Sequence, residues 1–552
     1  MEPVWLKNYE PGVPKTINPD AYPSLNALFG EMLTKYADLP AFTNMGQTLT
    51  YAEVDQRSKN FAAFLQQKLG LTKGERFAIM MPNLLHYPIA MLGILRAGCV
   101  VVNVNPLYTV EEFERQMHDA QATGVIVLEN FAHIVQQALP KTELKHVVIA
   151  KVGDFFPPVK AGLVDFYLRY IKRLIPKWYL DKLYYYKDVD AIGAKLKYTE
   201  LTMTGGDLAF LQYTGGTTGI PKGAMLTHRN MVANVLQDSA LLTVLLTPGK
   251  EIIITALPLY HIFSLTANCL TFMYYGALNV LITNPRDIKT FIADLKRFKF
   301  TAITGVNTLF NLLLNTPSFA TVDFSALKVA LGGGMAVQKI IATRWQEVTK
   351  KPLLPAYGLT EASPGVCINP MNLKSFNDSI GLPIPSTEIS VRDEAGHELG
   401  FNQPGELWVR GPQVMKGYWH QEEETRKVLT ADGWLKTGDV VTVNEQGFVK
   451  IIDRIKDMIV ISGFKVYPNE VEDTIAAMPG VKEVAVIGVP DDATGEQVKA
   501  LIVKSNPKIT VEDVRAYCHQ HLTGYKVPKF VEFRDSLPKS PVGKILHREL
   551  RK

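Results

Sequence analysis

Apolar positions in the first part of the chain follow two rhythms. Tyr51, Val54, Phe61 and Leu65 stand at helical spacing within a helix predicted over 49–69. Residues 24–35 and 86–97 also read as helices, and Gly98 stops the second. Between helices lie short, mostly apolar runs: 76–81, Cys99-Val100-Val101-Val102-Asn103-Val104, Gly124-Val125-Ile126-Val127-Leu128 and His146-Val147-Val148-Ile149-Ala150. Runs without polar alternation suit strands covered on both faces. Their alternation with helices predicts an α/β fold with parallel sheets. The rhythm returns over 208–211, 251–257, 278–283, 302–305, 328–331 and 353–356. Residues 1–48 read as a lead-in arm plus the 24–35 helix.

From about 380 the pattern changes. Strands shorten and turns such as Asp393-Glu394-Ala395-Gly396 and Gln403-Pro404-Gly405 intervene, which predicts a small β-rich subdomain over about 380–453. A charged junction follows, Asp453-Arg454-Ile455-Lys456-Asp457. Beyond it come a helix over 469–477, strands over 481–489 and 498–504, a helix over 511–522 and a strand over 530–534. These make a separate α+β domain of about 95 residues, enough for its own core.

One stretch fits neither rhythm: Tyr213-Thr214-Gly215-Gly216-Thr217-Thr218-Gly219-Ile220-Pro221-Lys222-Gly223. Glycine makes helix and strand costly there, and little in it can be buried. It reads as a loop leaving the 208–211 strand, with an amphipathic stretch following from about 230. Small residues let backbone N–H groups approach an anion, the hydroxyls add donors and Lys222 adds a charge, so the loop suits phosphate. The spacing is not that of a Walker loop, because Lys222 precedes Gly223. A plain surface loop is the other reading. Gly332-Gly333-Gly334, directly after a strand, suggests close approach to a flat ligand, or else a turn.

A second irregular stretch spans 155–187. Lys160, Arg169, Lys172, Arg173 and Lys177 alternate with Phe156, Phe166, Tyr167, Tyr170, Trp178 and Tyr179. Either it rests on an anionic bilayer, or its aromatics pack on the body of the protein.

Composition narrows the field. The chain of 552 residues is too long for one core, and its charge of +5 is mild for that length. No zinc spacing, RNA-binding signature or basic tail points to nucleic acid. Cys99, Cys269, Cys367 and Cys518 lie far apart, as in a reducing cytoplasmic compartment. Neither a signal peptide nor a spanning helix is expected.

Five stretches stand in a recognisable order: 213–223, Tyr357-Gly358-Leu359-Thr360-Glu361, Thr437-Gly438-Asp439, Asp453-Arg454-Ile455-Lys456-Asp457 and Pro541-Val542-Gly543-Lys544. The chain thereby resembles the adenylate-forming enzymes: acyl-CoA synthetases, peptide-synthetase adenylation domains and luciferases. Residues 432–473 look like the signature of fatty acyl-CoA synthetases, especially bacterial long-chain enzymes. The resemblance implies a large AMP-binding domain over 1–453, a hinge at 454–457 and a mobile domain over 458–552. It implies two steps. A carboxylate attacks the α-phosphate of ATP and pyrophosphate leaves; coenzyme A then takes the acyl group and AMP leaves. Another carboxylic acid, or a carrier-protein acceptor, is the alternative.

The resemblance also implies roles. Tyr213, Thr214, Gly215, Gly216, Thr217, Thr218, Gly219 and Lys222 belong to the stretch that holds the β- and γ-phosphates. Tyr357 would stack on adenine, with Gly333 and Gly334 close to the ring. Thr360 would contact the α-phosphate, and Glu361, with Thr217, would ligate Mg2+. Asp439 would accept from both ribose hydroxyls, which suits the two parallel oxygens of a carboxylate. Arg454 would touch ribose or phosphate, and Lys456 would sit at the hinge. Lys544 would bridge the substrate carboxylate and the α-phosphate. His261 would stand at the mouth of the acyl pocket beside Tyr260 and Phe263. Ser462, Gly463, Phe464 and Lys465 would line the coenzyme A route. Blander readings exist for several: a helix-start carboxylate for Glu361, a core imidazole for His261, solvated lysines at 456 and 544. Pro541, His547 and Leu265 depart from the family's pattern; Leu265 replaces an aromatic acyl gate found in some long-chain members. The expected partners are fatty acid, ATP and coenzyme A, with peripheral contact to the inner face of a membrane and a homodimer both left open.

Overall fold

The computed structural model describes residues 2–214, 221–462, 464–491, 494–540 and 543–551. Two parallel-centred sheets build the large N-terminal domain. The first has seven strands, ordered Tyr184–Tyr185, His146–Ala150, Ala122–Leu128, Arg76–Met80, Val100–Val104, Leu208–Thr214 and Lys222–Thr227. All neighbouring pairs are parallel except the last. The second has nine, with Leu354–Gly358, Val329–Gly332, Ala302–Gly305, Ile252–Thr255 and Leu278–Leu281 running parallel at its centre.

The apolar strand runs are explained by cover on both faces. One core joins the two sheets through helices Leu25–Lys35, Tyr51–Ala63, His86–Arg96 and His228–Leu242. Every residue of His86–Arg96 is buried, which accounts for its lack of a polar face. The outer faces carry Val110–Ala120 on the first sheet and Ile288–Arg297 and Lys339–Thr349 on the second. Capping boxes start four of the described helices, at Thr50 with Glu53, Thr109 with Glu112, Thr227 with Asn230, and, in the C-terminal domain, Thr510 with Asp513. Each cap contributes about 1 kcal/mol by satisfying N–H groups that the helix leaves orphaned.

A four-stranded antiparallel sheet follows: Glu388–Arg392, Gly405–Arg410, Leu435–Val443 and Val449–Arg454. The small C-terminal domain carries a five-stranded sheet, in which Phe530–Phe533 adds parallel to Gly495–Lys504. Its core of Ile459, Val471, Ile475, Val486, Val498 and Val514 is its own.

Two segments differ from the reading of the chain. The lead-in arm contains an antiparallel hairpin, Pro40–Asn44 with Gln47–Thr50, on the edge of the nine-stranded sheet, so the next helix begins at Tyr51 and not at Leu49. The glycine-rich stretch does not lead directly towards a helix. Lys222–Thr227 returns antiparallel to Leu208–Thr214, pairing Thr214 with Lys222.

The 155–187 stretch packs on the body of the protein at its two ends and is exposed in its middle. Phe155 packs edge-on against His86 and tilts against Tyr186, while Phe156 is buried. Tyr184–Tyr185 adds to the sheet edge. In the middle, helix Pro158–Phe166 and its wider final turn Tyr167–Ile171 bury no residue. Val159 is 79% and Tyr170 63% exposed, and Leu163, Phe166, Ile171 and Leu174 are exposed as well. Arg169 ties this element to the buried Glu129 at 2.6 Å, and Asn130 donates to the Leu174 carbonyl. Among the described residues no helix is long and apolar enough to cross a membrane.

Candidate active site

The carboxyl ends of the nine-stranded sheet and the third sheet meet at Asp439. Strand Leu354–Gly358 delivers Tyr357, whose hydroxyl donates to Asp439 Oδ2 at 2.5 Å. Strand pairing sets Asp439 opposite Arg454, whose Nε lies 3.1 Å from Asp439 Oδ1. Asp439 is buried and its own N–H bonds Thr437 Oγ1. Burial and the adjacent Asp439 carboxylate push the Tyr357 phenol well above its usual range, so it remains a donor.

Lys544, in the C-terminal domain, lies within electrostatic reach of this cluster. The Arg454 guanidinium first, and burial second, lower its ammonium to about 7, with Asp439 opposing them. Burial and then Lys544 lower His261 to about 4, so the imidazole is neutral. The Phe263 N–H donates to His261 Nδ1 at 3.3 Å, which places the ring proton on Nε2. Lys456 is also lowered, by burial and then Arg454. The predicted residues Tyr357, Asp439, Arg454, Lys456, Lys544 and His261 are therefore electrostatic neighbours.

Gly333 and Gly334 close the strand Val329–Gly332 beside them. A Cβ on Gly333 would lie 3.1 Å from the Phe263 ring and 3.2 Å from the Ala356 carbonyl; Gly334 has φ +76°. Glycine is thus favoured at both, for space at one and backbone at the other.

Thr360 and Glu361 form a short turn after the Tyr357 strand. The Tyr418 hydroxyl donates to Glu361 Oε1 at 2.7 Å, and the Met415 N–H donates to the Glu361 carbonyl. Lys222 pairs with Glu424 and lies 5.3 Å from the centre of the Tyr418 ring. The loop lysine and Glu361 therefore share Tyr418 as a neighbour. Tyr213 has a different commitment: its hydroxyl donates to Asp119 at 2.5 Å and its ring packs on Gly223. Gly215, Gly216, Thr217, Thr218 and Gly219 lie outside the described residues, as do Gly463 and Pro541. Phe464 stacks on Tyr525 and Lys465 pairs with Glu394. His547 pairs with Glu472, and Leu265 is buried in the turn Ser264–Leu270.

Tyr418 and Thr308 were not legible from the chain. Tyr418 is 57 residues from Glu361. Thr308, whose hydroxyl donates to the Gly543 carbonyl at 2.8 Å, is 235 residues from its partner. The aromatic after Gly417 was the one hint for Tyr418; Thr308 had none.

A buried carboxylate flanked by phenol and guanidinium, a lysine near neutrality and a neutral imidazole together suit an anionic ligand bearing hydroxyl groups. Comparison with known proteins agrees with this chemistry. The profile of the AMP-binding enzyme family matches residues 29–419, and that of the AMP-binding enzyme C-terminal domain matches 470–544. A long-chain-fatty-acid–CoA ligase of Yersinia pestis is 54% identical over 551 residues, covering 100% of this chain and 98% of its own. One from Bacillus subtilis is 36% identical, covering 99% and 97%. The crystal structure of ATP-bound MatB from Rhodopseudomonas palustris superposes with a TM-score of 0.81 at 28% identity, covering 95% and 98%. With its family profile spanning most of the sequence and relatives matched end to end, the chain belongs to the AMP-binding enzymes.

Proposed function

We propose that this protein is a long-chain fatty acid–CoA ligase that forms AMP. The observation that carries the reading is that the C-terminal domain, tethered at Gly543 to Thr308 of the large domain, brings Lys544 within electrostatic reach of Arg454, Asp439 and His261. End-to-end likeness to ligases of that name supports the choice of acid.

In the first step the fatty acid carboxylate oxygen attacks the α-phosphorus of ATP. A P–O bond forms, the bond to the β-phosphate oxygen breaks, and pyrophosphate leaves. Two anions must meet, so the contribution required is charge and position. Lys544 bridges carboxylate and α-phosphate; the low pKa of the free lysine rises as the anions arrive. Asp439 accepts from the ribose hydroxyls, Tyr357 stacks on adenine with Gly333 and Gly334 close to the ring, and Thr360 contacts the α-phosphate. Tyr213, Thr214 and Lys222 stand at the two ends of the stretch that holds the outgoing pyrophosphate. In the second step the coenzyme A thiolate attacks the acyl carbonyl, a C–S bond forms, and the C–O bond to AMP breaks.

Glu361 fits Mg2+. The described residues contain no cluster of three ligating side chains. Mg2+ is held by one or two carboxylates plus substrate phosphates and water, and so needs no such cage. When bound it would offset phosphate charge while Glu361 fixes its place, with Thr217 the second predicted ligand.

The two steps need different neighbours for one acyl-adenylate. We assign a hinge at 454–457, running from the final residue of the last strand of the third sheet towards the first strand of the C-terminal sheet at Ile459. The domains are then 1–453 and 458–552, and rotation would bring Phe464 and Lys465 towards coenzyme A.

The exposed face of 158–174 supports peripheral contact with an anionic membrane, in keeping with a cytoplasmic enzyme whose acid substrate partitions into lipid. Apolar side chains bury in the interface while Lys160, Lys172 and Arg173 meet phosphate headgroups.

Pyrophosphate release with palmitate, octanoate, benzoate and no acid tests the reading. Palmitate should be preferred. Activity confined to benzoate, or equal release without acid, would overturn it.

A further inference from the structure

We propose that Thr308 is a positioning residue for Lys544: its hydroxyl is the receptor by which the large domain holds the lysine in the adenylation geometry. This rests on the reading of Lys544 given above.

Lys544 lies on a hairpin that closes on itself. Ser540 N–H donates to the Lys544 carbonyl at 2.7 Å, and Gly543 N–H donates to the Ser540 carbonyl at 2.9 Å. Lys544 N–H in turn donates to Ser540 Oγ at 3.1 Å. Three bonds within five residues make Gly543 and Lys544 move together. A tether on one therefore fixes the backbone of the other.

The tether is Thr308. It sits in the first turn of helix Asn307–Leu314, and its hydroxyl donates to the Gly543 carbonyl at 2.8 Å. Three residues along, on the same helix face, Asn311 Nδ2 donates to the Lys482 carbonyl at 3.2 Å. The helix thus offers two polar side chains to the C-terminal domain, and Thr308 is the one bonded next to the lysine.

Shape restricts the same contact. Gly543 has φ +86°, and a Cβ there would stand 2.7 Å from Thr308 Oγ1 and 3.3 Å from Val306 Cγ2. Val306 also faces Gly334, whose added Cβ would lie 3.5 Å from Val306 Cγ1. Residues 306–308 therefore touch both the glycine corner and the lysine hairpin. Since one hydrogen bond to an uncharged carbonyl contributes modestly, its loss should reposition the hairpin without unfolding the protein.

The test separates the half-reactions. Thr308→Val keeps the β-branched shape and removes the donor; Thr308→Ser keeps the donor. Adenylation is read by fatty-acid-dependent pyrophosphate release. Transfer is read by supplying pre-formed acyl-adenylate with coenzyme A. The valine variant should slow adenylation about five- to tenfold and leave transfer within about twofold, and serine should restore adenylation. Equal loss in both half-reactions, or loss in neither, would overturn the proposal. Lys544→Ala is run in parallel. If it adenylates at the parent rate, the reading of Lys544 has failed; if it does not while Thr308→Val does, only the assignment of Thr308 has failed.

Discussion

Arg454 exerts the largest influence on Lys544, and it acts against the lysine's charge. The same guanidinium is paired with Asp439 at 3.1 Å. Asp439 is thus ion-paired with Arg454 while it also acts electrostatically on Lys544. In the free enzyme, about half of the lysine is charged near pH 7.

The pH dependence follows. The free enzyme loses its Lys544 charge as pH rises through about 7. kcat/KM for adenylation, which reports free-enzyme groups, should therefore fall on the alkaline side from near that pH. In Arg454→Leu the falling limb should move to higher pH even as activity drops. A limb that stays in place would show that the guanidinium is not its cause. Stability has its own sign. The lysine's folded value lies below its ordinary 10.5, so its destabilising effect is full below about pH 7 and fades as pH rises towards 10.5.

Tyr357 offers a separation of ring from hydroxyl. Tyr357→Phe removes the 2.5 Å donor to Asp439 and keeps the ring. We expect KM for ATP to rise about ten- to a hundredfold, the effect of about 1.5–3 kcal/mol from one hydrogen bond to a charged acceptor. Tyr357→Ala should cost far more, because the stacking surface goes too. Equal effects of the two variants would refute stacking.

Gly358→Ala should disrupt the turn that carries Thr360 and Glu361. Its Cβ would stand 2.2 Å from the Pro364 carbonyl oxygen, a backbone atom that has no rotamer to escape through. Overpacking of this kind costs about 1–3 kcal/mol and shifts the backbone. Expect at least a tenfold fall in adenylation, measured as pyrophosphate release.

Gly543→Ala meets both strain and contact, with φ +86° and Thr308 Oγ1 at 2.7 Å. A left-handed alanine alone costs about 1–2 kcal/mol. Adenylation should fall about tenfold or more, with transfer from supplied acyl-adenylate nearly intact.

The exposed 158–174 face can be tested in place. Leu163→Glu with Ile171→Glu puts charge on two largely exposed apolar positions. Flotation with anionic vesicles should drop at least fivefold while pyrophosphate release in detergent stays unchanged. Undiminished flotation would remove this face from the account.

How far these features could be read from the chain depended on their range. The apolar runs predicted the parallel sheets because burial on both faces leaves a local mark. The hairpin Pro40–Asn44 with Gln47–Thr50 left none: it is an edge addition whose polar Thr43, Asn44, Gln47 and Thr48 resemble a loop. Lys222–Thr227 was hidden by the glycine, proline and lysine at its start, and only its pairing with Leu208–Thr214 makes it a strand. In the site, recurring motifs pointed to Tyr357, Asp439, Arg454 and Lys544, which the fold brings together. Tyr418, Thr308 and Glu424 belong to contacts across long stretches of chain, and spacing cannot carry those.

The pairing of Thr214 with Lys222 has a consequence for how the loop tolerates change in length. A strand alternates faces at every residue, so inserting one residue inside Lys222–Thr227 would send each following side chain to the opposite side of the sheet. An insertion between the paired ends, by contrast, would leave their register untouched. Register therefore forbids a change of length within Lys222–Thr227, whereas between the paired ends it is the proposed hold on pyrophosphate, and not the sheet, that limits it.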